Sequence, residues 1–483
     1  MIKKTPLVLF LASLVLLLNL TIPPLQNPDE PQHFAAVSAF AENKNPSTAS
    51  HTEIIRLMDK NRWWHFLGMG RPDPLPNKIE DVAFLTGYER ASDYTAYLND
   101  ILIYHFAMGK IIGPLTKGNA VWAYYSARLI SVILFAGALI LSYLGLKRAA
   151  FPSAVPAELP WVLSGFFFIL FLPQFLISSV SVNPDSLSIF LSAIFFFSAF
   201  SLIGRESRFV TVLLLALSLI AGLIVDRENF FMLPAGLLAI LFSARRKNRK
   251  KILFAALLLL AALALLFVSL QLFFPAPLAK GLNVIKSNVP HFIKSLGSVF
   301  SFDSLDKEFF LGFTDSFLLK FGWSAFSAAP AFYVAWRIII ALAFLGIILF
   351  VVKSMGSRVQ NPQRSSGSES DRSIDSTALS THLRFVGFSI SSIFLQILAM
   401  LTVSTQSTLF AQGRYLFPLV LPIALLLVIG LKNFFDLFSR KADLGVRAVK
   451  IMIILQFLFL NYVIWSEIVP VFHIILQSPH PGS

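Results

Sequence analysis

Runs of about twenty largely apolar residues recur along this chain, and they limit its possible folds more than any other feature. The first, behind Lys3 and Lys4, covers about residues 5–22. Others fall near 121–146, 158–180, 186–204, 209–225, 230–243, 251–274, 328–352, 384–403, 416–432 and 450–469. A helix of this length satisfies its backbone N–H and C=O groups internally, as a bilayer requires of anything that crosses it. Composition agrees: hydrophobic residues make up 56%, charged residues 14%, and the mean hydropathy is +0.72. That is too little charge to cover a soluble domain. A soluble globular enzyme, a disordered chain and a coiled coil are excluded. The expected fold is all-α, a polytopic integral membrane protein with about eleven transmembrane helices and amphipathic helices in its outer loops.

The net charge is +14 and the pI about 9.9. In a soluble protein such values suggest nucleic acid. Here the basic residues flank apolar runs, as in Arg245-Arg246-Lys247-Asn248-Arg249-Lys250-Lys251. The positive-inside bias and contact with anionic membrane lipids account for them, and no nucleic-acid partner is expected. With the N-terminus cytoplasmic, Lys147-Arg148, Arg205/Arg208, the 245–251 cluster, Lys353/Arg358 and Arg440/Lys441 all fall inside. The short opposite loops around Pro184, Glu228 and Gln406 hold almost no basic residues. The same rule puts two long loops, 23–119 and 275–327, and the C-terminus outside the cytoplasm of a multi-pass cell-membrane protein. Ile22-Pro23-Pro24-Leu25 offers no small-x-small cleavage site, so the first run reads as an uncleaved anchor. Segment 98–116 carries Asn99, Asp100, His105 and Lys110 and reads as an interfacial or re-entrant helix. The expected organisation is an N-terminal transmembrane module, 1–352, a Ser-rich disordered cytoplasmic linker, 353–383, and C-terminal transmembrane helices, 384–483. The chain has no Cys, which removes disulfides, thiolate metal sites and Cys nucleophiles. Phosphate-binding Gly-rich loops, zinc-ligand spacings and nucleophile elbows are absent from the sequence, so ATP-driven transport is not expected.

The sharpest local motif is Asn27-Pro28-Asp29-Glu30-Pro31-Gln32-His33-Phe34, just beyond the first apolar run. Pro31 suits a first helical turn, and Phe34, Val37 and Ala41 share one helical face. The pattern describes a short helix lying on the membrane with two carboxylates at its start. One reading is purely structural, because acidic residues cap a helix and complement its dipole. The other makes Asp29 a general base at the lipid–water boundary, where partial withdrawal from water raises a carboxylate's proton affinity. Glu30 and His33 would then position it, hold substrate or bind a divalent cation, the one possible cofactor. Gln412-Gly413-Arg414-Tyr415 precedes the span at 416: Arg414 can grip a phosphate with its planar fork, or it and Tyr415 can be interfacial anchors. Asn183-Pro184-Asp185-Ser186 reads as a turn and N-cap or as a binding loop. Asp226-Arg227-Glu228-Asn229 is a solvated turn or the wall of an ion-paired site. Arg128 and Arg337 fall inside apolar runs, where each needs a partner, a watery cavity or a route to the interface. Phe166-Phe167-Phe168 and Phe195-Phe196-Phe197 read as packing or lipid-facing residues, and Arg62-Trp63-Trp64-His65-Phe66 as interfacial.

Pro28-Asp29-Glu30-Pro31-Gln32-His33-Phe34 resembles the Pro-Asp-Glu-Pro-x-His signature of a family of predicted prokaryotic membrane proteins, named only as a domain of unknown function. Similar segments follow in the same order: Leu172-Pro173-Gln174 through Asn183-Pro184-Asp185-Ser186-Leu187, Phe321-Gly322-Trp323, and Gln412-Gly413-Arg414-Tyr415-Leu416-Phe417-Pro418. That family resembles the GT-C class of membrane glycosyltransferases, which take a sugar from a polyprenyl-phosphate carrier on the outer face of the membrane. The resemblance implies a GT-C-like fold and a glycosyltransferase acting on an extracytoplasmic glycan, lipid or protein acceptor; a single base and a single displacement imply inversion at the anomeric carbon. Asp29, with Glu30 beside it, would be catalytic. His33, Arg128, Asn183, Asp185, Arg227, Gln412, Arg414 and Tyr415 would be substrate-binding, Arg414 as a phosphate ligand. Relatives often carry a Lys near the 226–229 turn, where Arg227 stands here, and paired prolines are missing from the segment Tyr97–Tyr104. The alternative is a transporter or flippase of a lipid-linked or anionic substrate, using the same charges as binding groups.

Overall fold

A computed structural model of the chain describes residues 25, 30–44, 51–61, 63–66, 71–77, 102–116, 118–150, 159–204, 209–225, 227–243, 315–318, 320–321, 326–327, 330–359, 369–404, 413–438, 443–462 and 465–466. Within the 23–119 segment lie α1 (Glu30–Ala41), α2 (Thr52–Lys60), α3 (Trp63–Phe66) and α4 (Leu102–Thr116). The apolar bundle begins with α5 (Ala120–Ala150), α6 (Leu159–Leu170), α7 (Pro173–Ser179), α8 (Pro184–Ile203) and α9 (Phe209–Val225). A 3₁₀ turn at Arg227–Phe231 leads into α10 (Met232–Ser243). A minimal antiparallel ladder pairs β1 (Lys320–Phe321) with β2 (Phe326–Ser327), Lys320 opposite Ser327. The bundle resumes with α11 (Pro330–Val359) and α12 (Glu369–Ser404). A 3₁₀ segment, Gly413–Leu419, then runs into α13 (Val420–Phe438), and α14 (Asp443–Tyr462) closes the described chain.

Five helices are long and apolar enough to cross a membrane among the described residues: those at Ala120–Ala149, Pro184–Ile203, Pro330–Met355, Ser380–Met400 and Gly413–Phe438. The polytopic all-α expectation is met at that level. The runs at 5–22 and 251–274 lie outside the described residues. The runs near 209–225 and 230–243 form helices shorter than a full span. The run expected at 158–180 is broken, since α6 and α7 meet at 62°. Pro173 opens α7, and Leu172 before it is extended at φ −73°, ψ 107°, as a residue preceding proline prefers. Of the run expected at 450–469, residues 450–462 lie in α14, whose first half carries Asp443, Arg447 and Lys450; 463–464 and 467–469 lie outside the described residues. Residues 353–383, expected as a disordered linker, are helical as far as Val359 and again from Glu369; 360–368 lie outside the described residues.

Among the described residues, two hydrophobic clusters form the interior. The larger fills the bundle and is built on aromatic contacts: Phe196 meets Phe200, Phe231 and Phe388, and Phe332 stacks on Phe459 with ring centroids 3.7 Å apart. Phe166, Phe168, Phe195 and Phe196 pack inside it. Helices α11 and α13 cross backbone to backbone. A Cβ on Gly346 would stand 1.8 Å from the Gly430 carbonyl oxygen, and one on Gly430 2.1 Å from that of Ala343. Small residues let membrane helices approach this closely. Large apolar side chains are exposed on the outside, among them Trp122 and Ile133 on α5, Phe344 on α11, and Ile451, Leu455 and Leu458 on α14. Such a surface suits lipid.

The smaller cluster joins α1–α4 to the start of α5 around Phe34, Val37, Ile54, Trp63, Met108 and Tyr124. Helix α2 is amphipathic, with Ile54, Ile55 and Met58 buried and Glu53, Arg56 and Lys60 exposed. Helix α1 is not. Residues Glu30 through Val37 are buried without a break, so it packs inside protein rather than lying on a membrane by one face. Trp63 and Trp64, expected at an interface, are likewise only 2% exposed.

Candidate functional site

Helix α1 is held at both ends. At its close, Asn43 takes the left-handed conformation (φ 59°), and Lys44 N–H donates to Ala39 O at 2.8 Å. That 6→1 bond, with Asn43 N–H on Phe40 O at 3.2 Å, forms a Schellman end. Along its side α1 lies against α4 without room for side chains. A Cβ on Gly109 would be 2.7 Å from both Phe40 Cβ and Val37 O. Upstream, Leu25 is also left-handed (φ 64°), a conformation a branched residue keeps only when its surroundings enforce it. They do: Leu25 N–H donates to the Tyr124 hydroxyl and Trp63 Nε1 donates to Leu25 O, each at 2.9 Å.

The first residue of α1 makes the strongest contact. Arg128 Nε donates to Glu30 Oε1 at 3.0 Å and its Nη2 to Oε2 at 2.9 Å, a bidentate pair with both side chains fully buried. Val182 N–H adds a bond to Glu30 Oε1 at 2.9 Å, and the guanidinium lies 4.8 Å from the Tyr124 ring centroid. Arg128 therefore meets the need that its position in an apolar run imposed. Glu30 and Arg128, expected as catalytic and substrate-binding, are brought together, but against each other. Arg337, the second arginine in an apolar run, pairs with Asp315.

One turn further, His33 Nδ1 and His105 Nε2 are 2.9 Å apart, with the rings stacked at 5.1 Å and 19°. Both are buried. Burial, then the charges of His105 and Arg414, hold His33 well below the usual histidine range, so it is neutral at pH 7. The Arg414 charge thus acts on His33, linking the N-terminal motif to a segment more than 300 residues away in sequence. Arg414 and Tyr415 are both partly buried, and the Arg414 guanidinium lies 5.5 Å from the Tyr415 ring centroid. Their segment is tied down by Gly413 N–H on Ser316 Oγ at 2.6 Å and by Gln396 Nε2 on Tyr415 O at 2.8 Å.

Asn183 caps α8, accepting from Ser186 N–H at 3.4 Å, and its amide reaches Asp185 Oδ2 at 3.2 Å. Ser186 Oγ lies 3.4 Å from Ser131 Oγ. Tyr104 is buried beside this pair, and burial pushes its phenol well above the usual range, keeping it protonated. In the 226–229 turn, Asn229 is buried between Ser188 Oγ at 3.0 Å and Gly222 O at 3.1 Å. The side chain of Arg227, and all of Asp29 and Gln412, lie outside the described residues. Among the described residues no three His, Asp or Glu side chains are grouped to hold a metal ion. Sequence reasoning did not anticipate His105 or Tyr104 as partners of the motif. The only signal was their unsuitability for a span, a His and a Tyr followed by Lys110 within an otherwise apolar segment.

A family model described as "Predicted membrane protein (DUF2142)" matches residues 10–423. The chain belongs to this family. The matched region takes in both the Glu30–His33 motif and Arg414. Membership and the apolar helices together make the chain a membrane protein. No curated protein and no solved structure matches it.

Proposed function

We propose that the protein is a GT-C-type membrane glycosyltransferase, moving a sugar from a polyprenyl-phosphate donor to an acceptor on the extracytoplasmic face. Asp29 is the general base. It takes the acceptor hydroxyl proton as the oxygen bonds to the anomeric carbon and the bond from that carbon to the phosphate oxygen breaks, inverting the centre. Charge then gathers on the departing polyprenyl phosphate, where Arg414, assisted by Arg227, stabilises it. The observation that carries this reading is the burial of the Glu30–His33 motif next to Asp29, with Glu30 fixed on Arg128 and the Arg414 charge adding, after burial and His105, to the lowered proton affinity of His33. It supports a common site for a base at the start of the chain and an anion ligand near its end. Glu30, locked to Arg128 and Val182, has a positioning part: it anchors the chain directly after Asp29. Asn183 caps α8 and so fixes the loop that begins it.

The test is reconstitution of the full chain in lipid nanodiscs with a panel of polyprenyl-phosphoryl hexoses and pentoses and candidate acceptors. Asp29→Asn should lower turnover by about 10²–10⁴-fold, the usual range for removing a general base. A folded Asp29→Asn protein with full activity removes the base assignment, and a wild-type protein inert with every pair removes the reading. A second reading, a transporter or flippase of a lipid-linked anion, draws support from the 62° break between α6 and α7, since transporters bind at discontinuous helices. Under it, labelled lipid would cross the bilayer of proteoliposomes without loss of its sugar.

A further inference from the structure

We propose that His33 and His105 act as one proton-carrying dyad, passing a single proton between two buried imidazoles beside the candidate site. The proposal rests on the sugar-transfer reading only for what the proton serves; the dyad itself stands on geometry. At 2.9 Å the Nδ1 of His33 and the Nε2 of His105 must share one hydrogen, because a neutral imidazole has one N–H and one lone pair. Two protons cannot occupy the contact, so the pair carries zero or one positive charge. When His33 Nδ1 donates, a proton arriving at His33 Nε2 drives its Nδ1 proton onto His105 Nε2, and His105 releases the proton on its Nδ1. One proton enters, one leaves, and the two tautomers are exchanged; the reverse path restores them.

The rings cannot easily part. They sit on α1 and α4, which touch backbone to backbone at Gly109 and again at Gly113, where a Cβ would be 2.8 Å from Ala41 O. Among the described residues, these charged and titratable groups lie on the elements around them. Helix α1 adds Glu30, engaged by Arg128 of α5, and α5 adds Tyr124. Helix α4 adds Tyr104, against the His105 ring, and Lys110, which donates to Asn43. Helix α8 adds Asp185 and the 3₁₀ segment adds Arg414, whose positive charge favours the uncharged state. Helix α9 has no ionisable side chain. His33 itself is held neutral by burial, with Nδ1 placed to exchange a proton with His105.

The decisive measurement is ¹⁵N NMR of the full-length protein in nanodiscs with labelled histidine, assigned with His33→Gln and His105→Gln. A coupling across the His33–His105 contact and uptake of one shared proton, with a midpoint below the usual value of about 6.5, are expected. Two rings that titrate separately near that value, with no cross-bond coupling, would overturn the dyad. The wild-type spectrum alone decides this point should either variant fail to fold. Where transfer is detected, His105→Gln should slow it about tenfold or more and flatten the acid limb of its pH profile. A folded variant with unchanged rate and profile would confine the pair to a structural part and overturn the proton-carrying role. Absence of any transfer would instead remove the sugar-transfer reading, with the spectrum still deciding the dyad.

Discussion

The two interiors of this protein handle polar groups in different ways. In the large bundle core many are satisfied locally, alongside cross-helix bonds such as Gln396 to Tyr415 O and Ser188 to Asn229. Ser179, Ser201, Ser354, Ser392, Asn433 and Asn461 each donate to the carbonyl of the residue four positions earlier, on their own helix. Such bonds form with the helix and need no particular neighbour. In the smaller cluster around α1 the polar groups are satisfied across the fold. Glu30 meets Arg128 and Val182, His33 meets His105, and the Leu25 backbone meets Tyr124 and Trp63. The bundle is a solvent-like scaffold whose specificity lies in the fit of its aromatic rings. The smaller cluster depends on exact pairing of buried charges, so its geometry is defined more sharply and broken more easily.

That contrast can be broken most forcefully at the buried ion pair. Arg128→Met should destabilise the protein by about 3–5 kcal/mol, read as a fall in the thermal midpoint in nanodiscs, because Glu30 would be left charged and unpaired. Adding Glu30→Leu to that variant should restore most of the loss. A single substitution with no effect would mean that the pair holds nothing together. The bundle's sensitive point is fit rather than charge. Gly430→Ala should cost about 1–3 kcal/mol by forcing α11 and α13 apart at Ala343. An unchanged midpoint there would show that the two helices can separate at little cost.

A smaller effect should appear with pH. His33 is held below its unfolded proton affinity, so between the unfolded value near 6.5 and its lower folded value the unfolded state binds more protons. Stability is fully present above that unfolded value and declines as pH falls below it. The thermal midpoint should drop from pH 7.5 to 5.5, with a shallower slope in His33→Gln; equal slopes would assign the pH dependence elsewhere. The smallest change should come from Ser392→Ala, within about 0.5 kcal/mol, since its bond to Phe388 O is local and both partners lie on α12. A large loss there would erase the distinction between the two interiors.

Much of the bundle was readable in advance because apolar length is a local property. The runs at 121–146, 186–204, 328–352, 384–403 and 416–432 all became long apolar helices. The capping part of Asn183 and the helix starting at Glu30 followed from residue order in the same way. The break at Leu172-Pro173 was also written there, in a proline that cannot continue the preceding turn, but the apolar length of 158–180 obscured it.

What the sequence determined by itself is therefore a membrane-embedded helical chain with an arginine in an apolar run that needed a partner, a watery cavity or a route to the interface; that an anion meets the need is seen in the Glu30 pair. Which anion was decided only by the tertiary structure. Glu30 lies 98 residues from Arg128 and His33 lies 72 from His105, and no periodic pattern reaches across such distances. Buried charges in a medium of low polarity must be paired, but the identity of each partner depends on how the helices cross, and that is settled by the packing of the whole chain.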